Sequence, residues 1–301
     1  MTTLQKPRAY LIDSSIYIFR AWHVFDDDIV DIDGNPTNAV YGFSEFLFEL
    51  IKRTGASYIA CAFDASQTDS YRREIYTEYK ANRPPAPEEL IRQFDYCRQF
   101  CRAAGIADYS SNRFEADDII GTLARRLREQ GFAITIVSAD KDLAQLVGSE
   151  DDFWWDYARD NMLDQKGVEK QFGVRPDQIA DMLALSGDKV DNIPGIPGIG
   201  YTLASRILSK YQTVEDILEN IEHISKMKFR GSARVQNLVD EHQHILPMTK
   251  KLTTIVTDAK FQGPKQDVSW TGIEEVLMHK LFDQLDAGDM RRKKWLTLQT
   301  P

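Results

Sequence analysis

No apolar run in the 301 residues approaches the eighteen or so that a membrane helix needs, so a membrane-spanning protein is not expected. The start, MTTLQKPRAYLID, lacks the apolar core of a secretory signal and passes almost directly into a strand, which makes the cytoplasm the expected compartment. Cysteine is scarce: Cys61, Cys97 and Cys101 form no CxxC pair. That excludes a disulfide framework and leaves too few ligands for a structural zinc site. Cys97 and Cys101, four apart, share a helical face and read as small packing residues. Positive charge is also short, with 37 Lys and Arg against 46 Asp and Glu for a net charge of −9. The sum speaks against a uniformly basic nucleic-acid coat, but local distribution decides what a ligand meets. No internal repeat or low-complexity tract is visible. What remains, 43% hydrophobic with 11% aromatic, is the composition of a folded chain able to bury a core.

Three short apolar segments, AYLID (9–13), SYIACAFD (57–64) and FAITIVSAD (132–140), read as strands that each end in an acid. NAVYGFSEFLFELIKR (38–53) and EADDIIGTLARRLREQG (115–131) carry helical spacing, the second stopped by Gly131. Strands alternating with helices predict an α/β fold with a mostly parallel central sheet. In such sheets ligands collect at the carboxyl ends of the strands, where these acids stand. Residues 67–105 differ: they are rich in charge and tyrosine, are broken by PPAP (84–87), and resume as a helix from Glu88. They read either as a mobile flap over a site or as a solvated helical hairpin. Beyond about residue 177 the pattern turns helical around SGDKVDNIPGIPGIG (186–200), followed by a helix over 201–210, short helices, a strand KLTTIVTD (251–258) and a basic end, RRKKW (291–295). The expected division is therefore 1–176 for the core and 177–301 for the helical region and its extension.

Nine acids stand where they can converge: Asp13, Asp64, Glu115, Asp117, Asp118, Asp140, Asp142, Asp188 and Asp191. Glu115 and Asp118 are neighbours on one helical face, and Asp188 and Asp191 repeat that spacing. Taken alone, EADD reads first as helix-capping acids. Acids at three successive strand ends add weight to a second reading. Carboxylates so crowded cannot all ionise without counter-charge. Hard divalent cations with oxygen ligands, Mg²⁺ or Mn²⁺, are the natural remedy, and two of them about 4 Å apart suit in-line phosphodiester displacement.

Two further segments suit phosphate. GIPGIG (195–200) before a helix is either an ordinary helix–helix turn or one whose glycines let the backbone approach an anion. SYRREIYTEYKANR (70–83) interleaves cations with tyrosines, a pattern fit for phosphates and unpaired bases, or for a solvated face.

The stretches LIDSSIYIFRAWH, AVYGF, AFDASQTDSYRREIYTEYKANRP, EADDIIGTLA, VSADKDLAQLV and LSGDKVDNIPGIPGIGYTLASRIL occur in this order between residues 10 and 208. With them the chain resembles the 5′ nuclease, or flap endonuclease, family. It is most similar to the bacterial 5′–3′ exonuclease domain at the amino end of DNA polymerase I, expected here either as a free-standing form or as a piece of such a polymerase. The resemblance implies a PIN-like, resolvase-like core, a helical arch over about 67–105, and a helix-three-turn-helix that grips duplex DNA. It implies that Asp13, Asp64, Glu115, Asp117 and Asp118 serve a first Mg²⁺ or Mn²⁺, and Asp140, Asp142, Asp188 and Asp191 a second. Lys80 and Arg83 match arch cations at the scissile phosphate. Arg72 and Tyr79 would place the threaded strand, Arg20 and His23 match the motif after the first strand, and Gly195, Gly198, Gly200 and Lys210 fall on the DNA side of the hairpin, where a K⁺ ion is expected. The implied substrates are branched, flapped or nicked DNA and RNA-primed DNA. A separate DNA polymerase is the implied partner, the chain a monomer without membrane attachment. None of the nine acidic positions is substituted, which disfavours a branch-binding accessory with a broken site. The hairpin after the second acidic cluster disfavours an RNA-cleaving relative.

Overall fold

The computed structural model describes residues 6–64, 70–264 and 268–298. Positions 67–69, the start of the expected arch, lie outside them. Among the described residues six strands make one sheet: β1 (Arg8–Asp13), β2 (Tyr58–Asp64), β3 (Ala107–Ser111), β4 (Ala133–Val137), β5 (Phe153–Asp156) and β6 (Asn161–Leu163). Their spatial order is β3-β2-β1-β4-β5-β6, parallel throughout except for the β5–β6 pair. The continuous apolar runs of β1, β2 and β4 follow from burial on both faces, which parallel sheets require. The order reverses between β1 and β4, so a crevice opens at the carboxyl end of the central strand.

Helices α1 (Ser14–Val24), α2 (Asn38–Thr54), α3 (Tyr71–Ile75), α4 (Glu88–Ala103) and α5 (Ala116–Glu129) complete the first half. One core face joins α1, α2 and α4 to Ile12, Ile59, Phe63 and Val137. The opposite face is covered by α5, whose Ile119, Ile120, Leu123 and Leu127 pack on Leu11, Ala60 and Ile134. Gly131 ends that helical segment with φ 89°, a left-handed value that costs glycine little.

The second half runs through α6 (Gln165–Phe172), α7 (Ile179–Ser186), α8 (Tyr201–Leu208), α9 (Val214–Glu219), α10 (Ser232–His242), α11 (Leu246–Thr253), α12 (Glu275–Gln284) and α13 (Asp289–Leu296). No helix of the described residues is long and apolar enough to cross a membrane. The segment 70–87 is less helical than an arch suggests. It holds the five-residue α3, then turns, before the prolines hand over to α4.

KLTTIVTD is not a strand. Pro247 sits in the first turn of α11, which absorbs Lys251–Thr253, and the residues after it run extended without a strand partner. Their N–H groups bond to side chains instead: Ile255 to Gln145 Oε1 at 3.0 Å, Val256 to Asp118 Oδ1 at 2.9 Å and Ala259 to Thr122 Oγ1 at 2.9 Å. β3, β5 and β6 are short strands that the apolar pattern does not announce.

The basic end folds back as α13. Trp295 is fully buried between Phe48 and Phe100, at ring distances of 5.5 and 4.8 Å. Replacing it leaves an indole-sized cavity in the core shared by α2 and α4. Trp295→Ala should cost about 3–5 kcal/mol of unfolding free energy in a denaturant titration. A loss below about 1 kcal/mol would mean that α13 is not part of the core.

Candidate active site

The acids of the first half arrive from separate elements because each follows a strand end or opens a helix. Asp13 ends β1 and Asp64 ends β2. Glu115 is the N-cap of α5, with Asp117 and Asp118 in its first turn, and Asp140 and Asp142 flank the turn after β4. Asp64 Oδ1 accepts from Ala116 N at 2.8 Å, tying the end of β2 to the start of α5. Ser138 bridges the sheet edge: its hydroxyl donates to Asp13 Oδ2 at 2.8 Å and accepts from Asp140 N at 2.9 Å.

Crowding shows in the acid strengths. Burial, then the neighbouring charge of Asp64, pushes Asp13 up to about 7. Burial and Asp140 push Asp142 up to about 7 as well. Asp117 lies well above the usual carboxylate range through burial, Asp140 and Asp13, and burial raises Asp140 too. Glu115 goes the other way. Against the cost of its burial, the charges of Lys80 and Arg72 hold it at about 2. Asp188 is lowered likewise: against burial, the hydrogen bond and charge of Lys141 act together with the backbone N–H groups of Asp191 and Val190. The cluster thus divides into Asp13, Asp117, Asp140 and Asp142, which lack enough counter-charge, and Glu115 and Asp188, which have it.

The counter-charge comes from a flap and a hairpin clasped together. Lys80 Nζ donates to Glu115 Oε2 at 2.9 Å and stands 3.7 Å from Asp191 Oδ2. Its backbone sits in the left-handed region, φ 54°, unusual for a side chain of this size, and its N–H donates to Asp191 O at 2.9 Å. Arg83 Nη2 donates to Asp191 Oδ1 at 2.5 Å, Asn82 Nδ2 to Lys189 O at 2.9 Å, and Asn192 Nδ2 to Glu78 O at 2.7 Å. Lys141 joins the two acidic groups, donating to Asp188 Oδ2 at 2.8 Å while lying 3.4 Å from Asp142 Oδ1. A cleft of about 280 Å³ opens here between Asp64 and Glu115 on one side and Phe19, Arg73, Pro84 and Phe94 on the other.

The hairpin between α7 and α8 needs its glycines for different reasons. A Cβ on Gly195 would fall 2.2 Å from Gly187 N, so two backbone strands close against each other there. Gly198 has φ 85°, a value that favours glycine. Gly200 caps α8 with open space around it, room for an anion to approach. Lys210 is exposed near the end of the same helical segment.

Several expected roles do not match the placement. Asp118 is fully buried, and its oxygens accept from Arg72 Nη1 at 2.7 Å, Arg72 Nη2 at 2.9 Å, Val256 N at 2.9 Å and Glu115 N at 3.2 Å. With its lone pairs filled it braces the site from behind and is a poor candidate for a ligand. Arg72, only 2% exposed, also donates to Leu252 O at 2.9 Å, so its guanidinium is engaged within the protein. Tyr79 is equally buried, its hydroxyl shared between Glu115 at 2.9 Å and Asp191 at 3.1 Å. Arg20 and His23 are exposed on α1, and Arg20 borders a different cleft, beside Tyr17 and Tyr157. Sequence reasoning missed Ser138, Lys141, Phe19 and Phe94. The first two lie inside VSADKD, and Phe19 follows Asp13 by six residues, so adjacency to the acids was the available signal.

Among the described residues no group of three His, Cys, Asp or Glu side chains is arranged as a ready cation cage, and lysine and arginine pair with Glu115, Asp118, Asp188 and Asp191. The donor chemistry nevertheless fits a hard divalent ion: it is all oxygen, short of positive charge, and includes Asp142 Oδ1, buried without a hydrogen-bond donor. The Arg72–Asp118 pair carries a separate expectation. Removing the guanidinium strands a buried carboxylate, so Arg72→Ala should lower stability by about 3–5 kcal/mol in chemical denaturation. An unchanged midpoint accompanied by weaker DNA binding would return Arg72 to the substrate.

Residues 8–173 match the 5′–3′ exonuclease N-terminal resolvase-like domain, and residues 174–276 match the 5′–3′ exonuclease C-terminal SAM fold. A 5′–3′ exonuclease of Aquifex aeolicus is 36% identical over 282 residues, covering 94% of this chain and 92% of that protein. DNA polymerase I of Bacillus caldotenax is 35% identical over 286 residues, 93% of this chain but only 31% of its own length. The chain therefore spans about a third of that polymerase. The structure of the bacteriophage T5 flap endonuclease in a pseudo-enzyme–product complex with DNA and metal ions superposes with a TM-score of 0.66 at 17% identity, over 96% of this chain and 98% of that one. That likeness concerns the fold. Both domain matches, in sequence and in order, make this chain a member of the 5′–3′ exonuclease family.

Proposed function

We propose that the chain hydrolyses phosphodiesters at 5′ flaps, nicks and RNA primers, as a 5′–3′ exonuclease with structure-specific flap endonuclease activity. The observation that carries this reading is the set of under-neutralised carboxylates at the sheet's switch point, roofed by Lys80 and Arg83. Asp13, Asp64, Glu115 and Asp117 would hold one Mg²⁺ or Mn²⁺, and Asp140, Asp142, Asp188 and Asp191 a second. Such cations, when bound, supply Lewis-acid charge at the phosphate and lower the pKa of a coordinated water.

The side chains do the positioning. Lys80 and Arg83, now satisfied by Glu115 and Asp191, stand at the mouth of the cleft, where a phosphate can compete for them. Phe19 and Phe94, with ring centroids 5.6 Å apart, give the cleft an apolar wall against which an unpaired nucleotide can rest. The hairpin backbone around Gly198 and Gly200 offers N–H groups to duplex phosphates, and its carbonyls are the candidate K⁺ ligands. Branched, nicked or RNA-primed DNA is then the substrate, a separate DNA polymerase the fitting partner, and the monomer the working unit.

Cleavage of a 5′-labelled flap duplex with Mg²⁺, beside Asp140→Ala and a chelated control, tests the reading. Products near the junction should require both the metal and Asp140. Lys80→Ala should lower kcat by about 10²–10³, the range for losing one group that stabilises developing charge. A wild-type protein that binds flaps tightly but cuts none with Mg²⁺ or Mn²⁺ would make the chain a branch-binding accessory instead.

A further inference from the structure

The segment that leads from α9 into α10, KMKFRGSAR (226–234), alternates in a way that sequence reasoning passed over. Met227 and Phe229 turn inward and pack on the core of the helical region, while Lys226, Lys228 and Arg230 are left exposed. Arg234, on the first turn of α10, is exposed as well. Among the described residues none of these four cations has a carboxylate partner; Lys226 Nζ lies 3.2 Å from His223 Nδ1. Glu222 lies beside the strip, within 3.7 Å of His223, and Asp240 is occupied by Gln243. The strip also reaches the hairpin. A Cβ placed on Gly198 would lie 3.0 Å from Arg234 Nη2 and 3.6 Å from Leu238 Cδ1, so α10 leans on the glycine loop itself.

We propose that Lys226, Lys228, Arg230 and Arg234 form a second phosphate-binding strip that continues the hairpin's grip along a nucleic-acid duplex. The inference rests on the hairpin being a duplex-binding element, as proposed above. Its chemistry is that of unpaired, mobile cations beside an anion-ready backbone: they neutralise phosphates without reading sequence and release counterions on binding. Such a strip lengthens the footprint and leaves the hydrolytic site untouched. A short duplex engages the hairpin alone; a longer one reaches both.

The test separates the strip from the catalytic reading by measuring binding without cleavage. Fluorescence anisotropy in chelator compares unflapped duplexes of about 8 and about 24 base pairs, either side of one helical turn. The proteins are the wild type, the quadruple variant Lys226→Ala, Lys228→Ala, Arg230→Ala, Arg234→Ala, and a triple variant that keeps Arg234 in case its approach to the loop matters for folding. For the long duplex, the slope of log K against log salt should flatten by about 0.9 for each phosphate that is no longer neutralised, about two to four phosphates in all. The short duplex should bind the wild type and the triple variant alike. On a long flap substrate KM should rise with kcat unchanged. Equal slopes for wild type and both variants on the long duplex would overturn the strip. Absence of cleavage by the wild type would overturn the nuclease reading and leave these binding measurements standing.

Discussion

Carboxylates converging at one end of a parallel sheet repel one another, and the rest of the site is arranged around that repulsion. Asp13, Asp117, Asp140 and Asp142 are held close enough, and dry enough, that their protons bind more tightly than in water. Nothing about the strands requires acids there. A hydrophobic or amide edge would fold more readily, so the acids are a local cost that the surrounding core must carry. The fold meets it with fixed counter-charge where it can, at Glu115, Asp118 and Asp188, and leaves the centre short of cations. A site with that imbalance favours added positive charge of small radius.

The same electrostatics explains why the flap lies against the hairpin. Lys80 adopts a backbone conformation that costs a non-glycine residue of order 1 kcal/mol or more, and the structure holds it there through Asp191 and Glu115. Tyr79 and Lys80 both answer to those two acids, so the flap's position reports on the charge state beneath it. On the proposed function, a phosphate that drew Lys80 and Arg83 away would loosen the clasp on Asp191, and a cation that took over Glu115 would do the same from below. The flap and the site beneath it thus share the partners Glu115 and Asp191.

Much of this was legible in the order of residues. β1, β2 and β4 announced themselves by apolar runs ending in Asp, α2 and α5 by their spacing, and α4 by the prolines before it. The shorter strands were hidden because their burial is tertiary: ADYSS reads as polar, yet Asp108 is buried, neutralised by Arg98 and Arg102 from α4. KLTTIVTD misled for the opposite reason, since its β-branched residues suit a strand but its N–H groups were claimed by side chains of α5 and its neighbours. For the site, the acids could be gathered from sequence, but their partners could not. Whether Arg72 faces DNA or a buried carboxylate depends on how residue 72 meets residues 118 and 252, a meeting that no local pattern encodes. Asp118 shows the same limit from the other side. Its spacing in EADD matches Glu115 and Asp117, and only the three-dimensional packing shows its oxygens already filled.

The net charge of −9, which first argued against a polyanionic ligand, takes a different meaning once the acids are located. The nine acids of the candidate site equal the whole excess of Asp and Glu over Lys and Arg, so the remainder of the chain balances. Ionic strength near physiological screens charges beyond about 8–10 Å, so a phosphate held farther than that from the cluster does not feel its full repulsion. Lys226, Lys228, Arg230 and Arg234, exposed and without a carboxylate partner among the described residues, present local positive charge on a protein that is acidic in sum. Those two properties suit one ligand in two places: phosphates held along the outside by free cations, and a single phosphate drawn into a pocket whose own acids would repel it unless compensating charge entered first. A chain with basic residues spread evenly would bind DNA anywhere. Concentrating the acids in one pit makes entry there conditional, and the conditional step is where a nuclease needs its specificity.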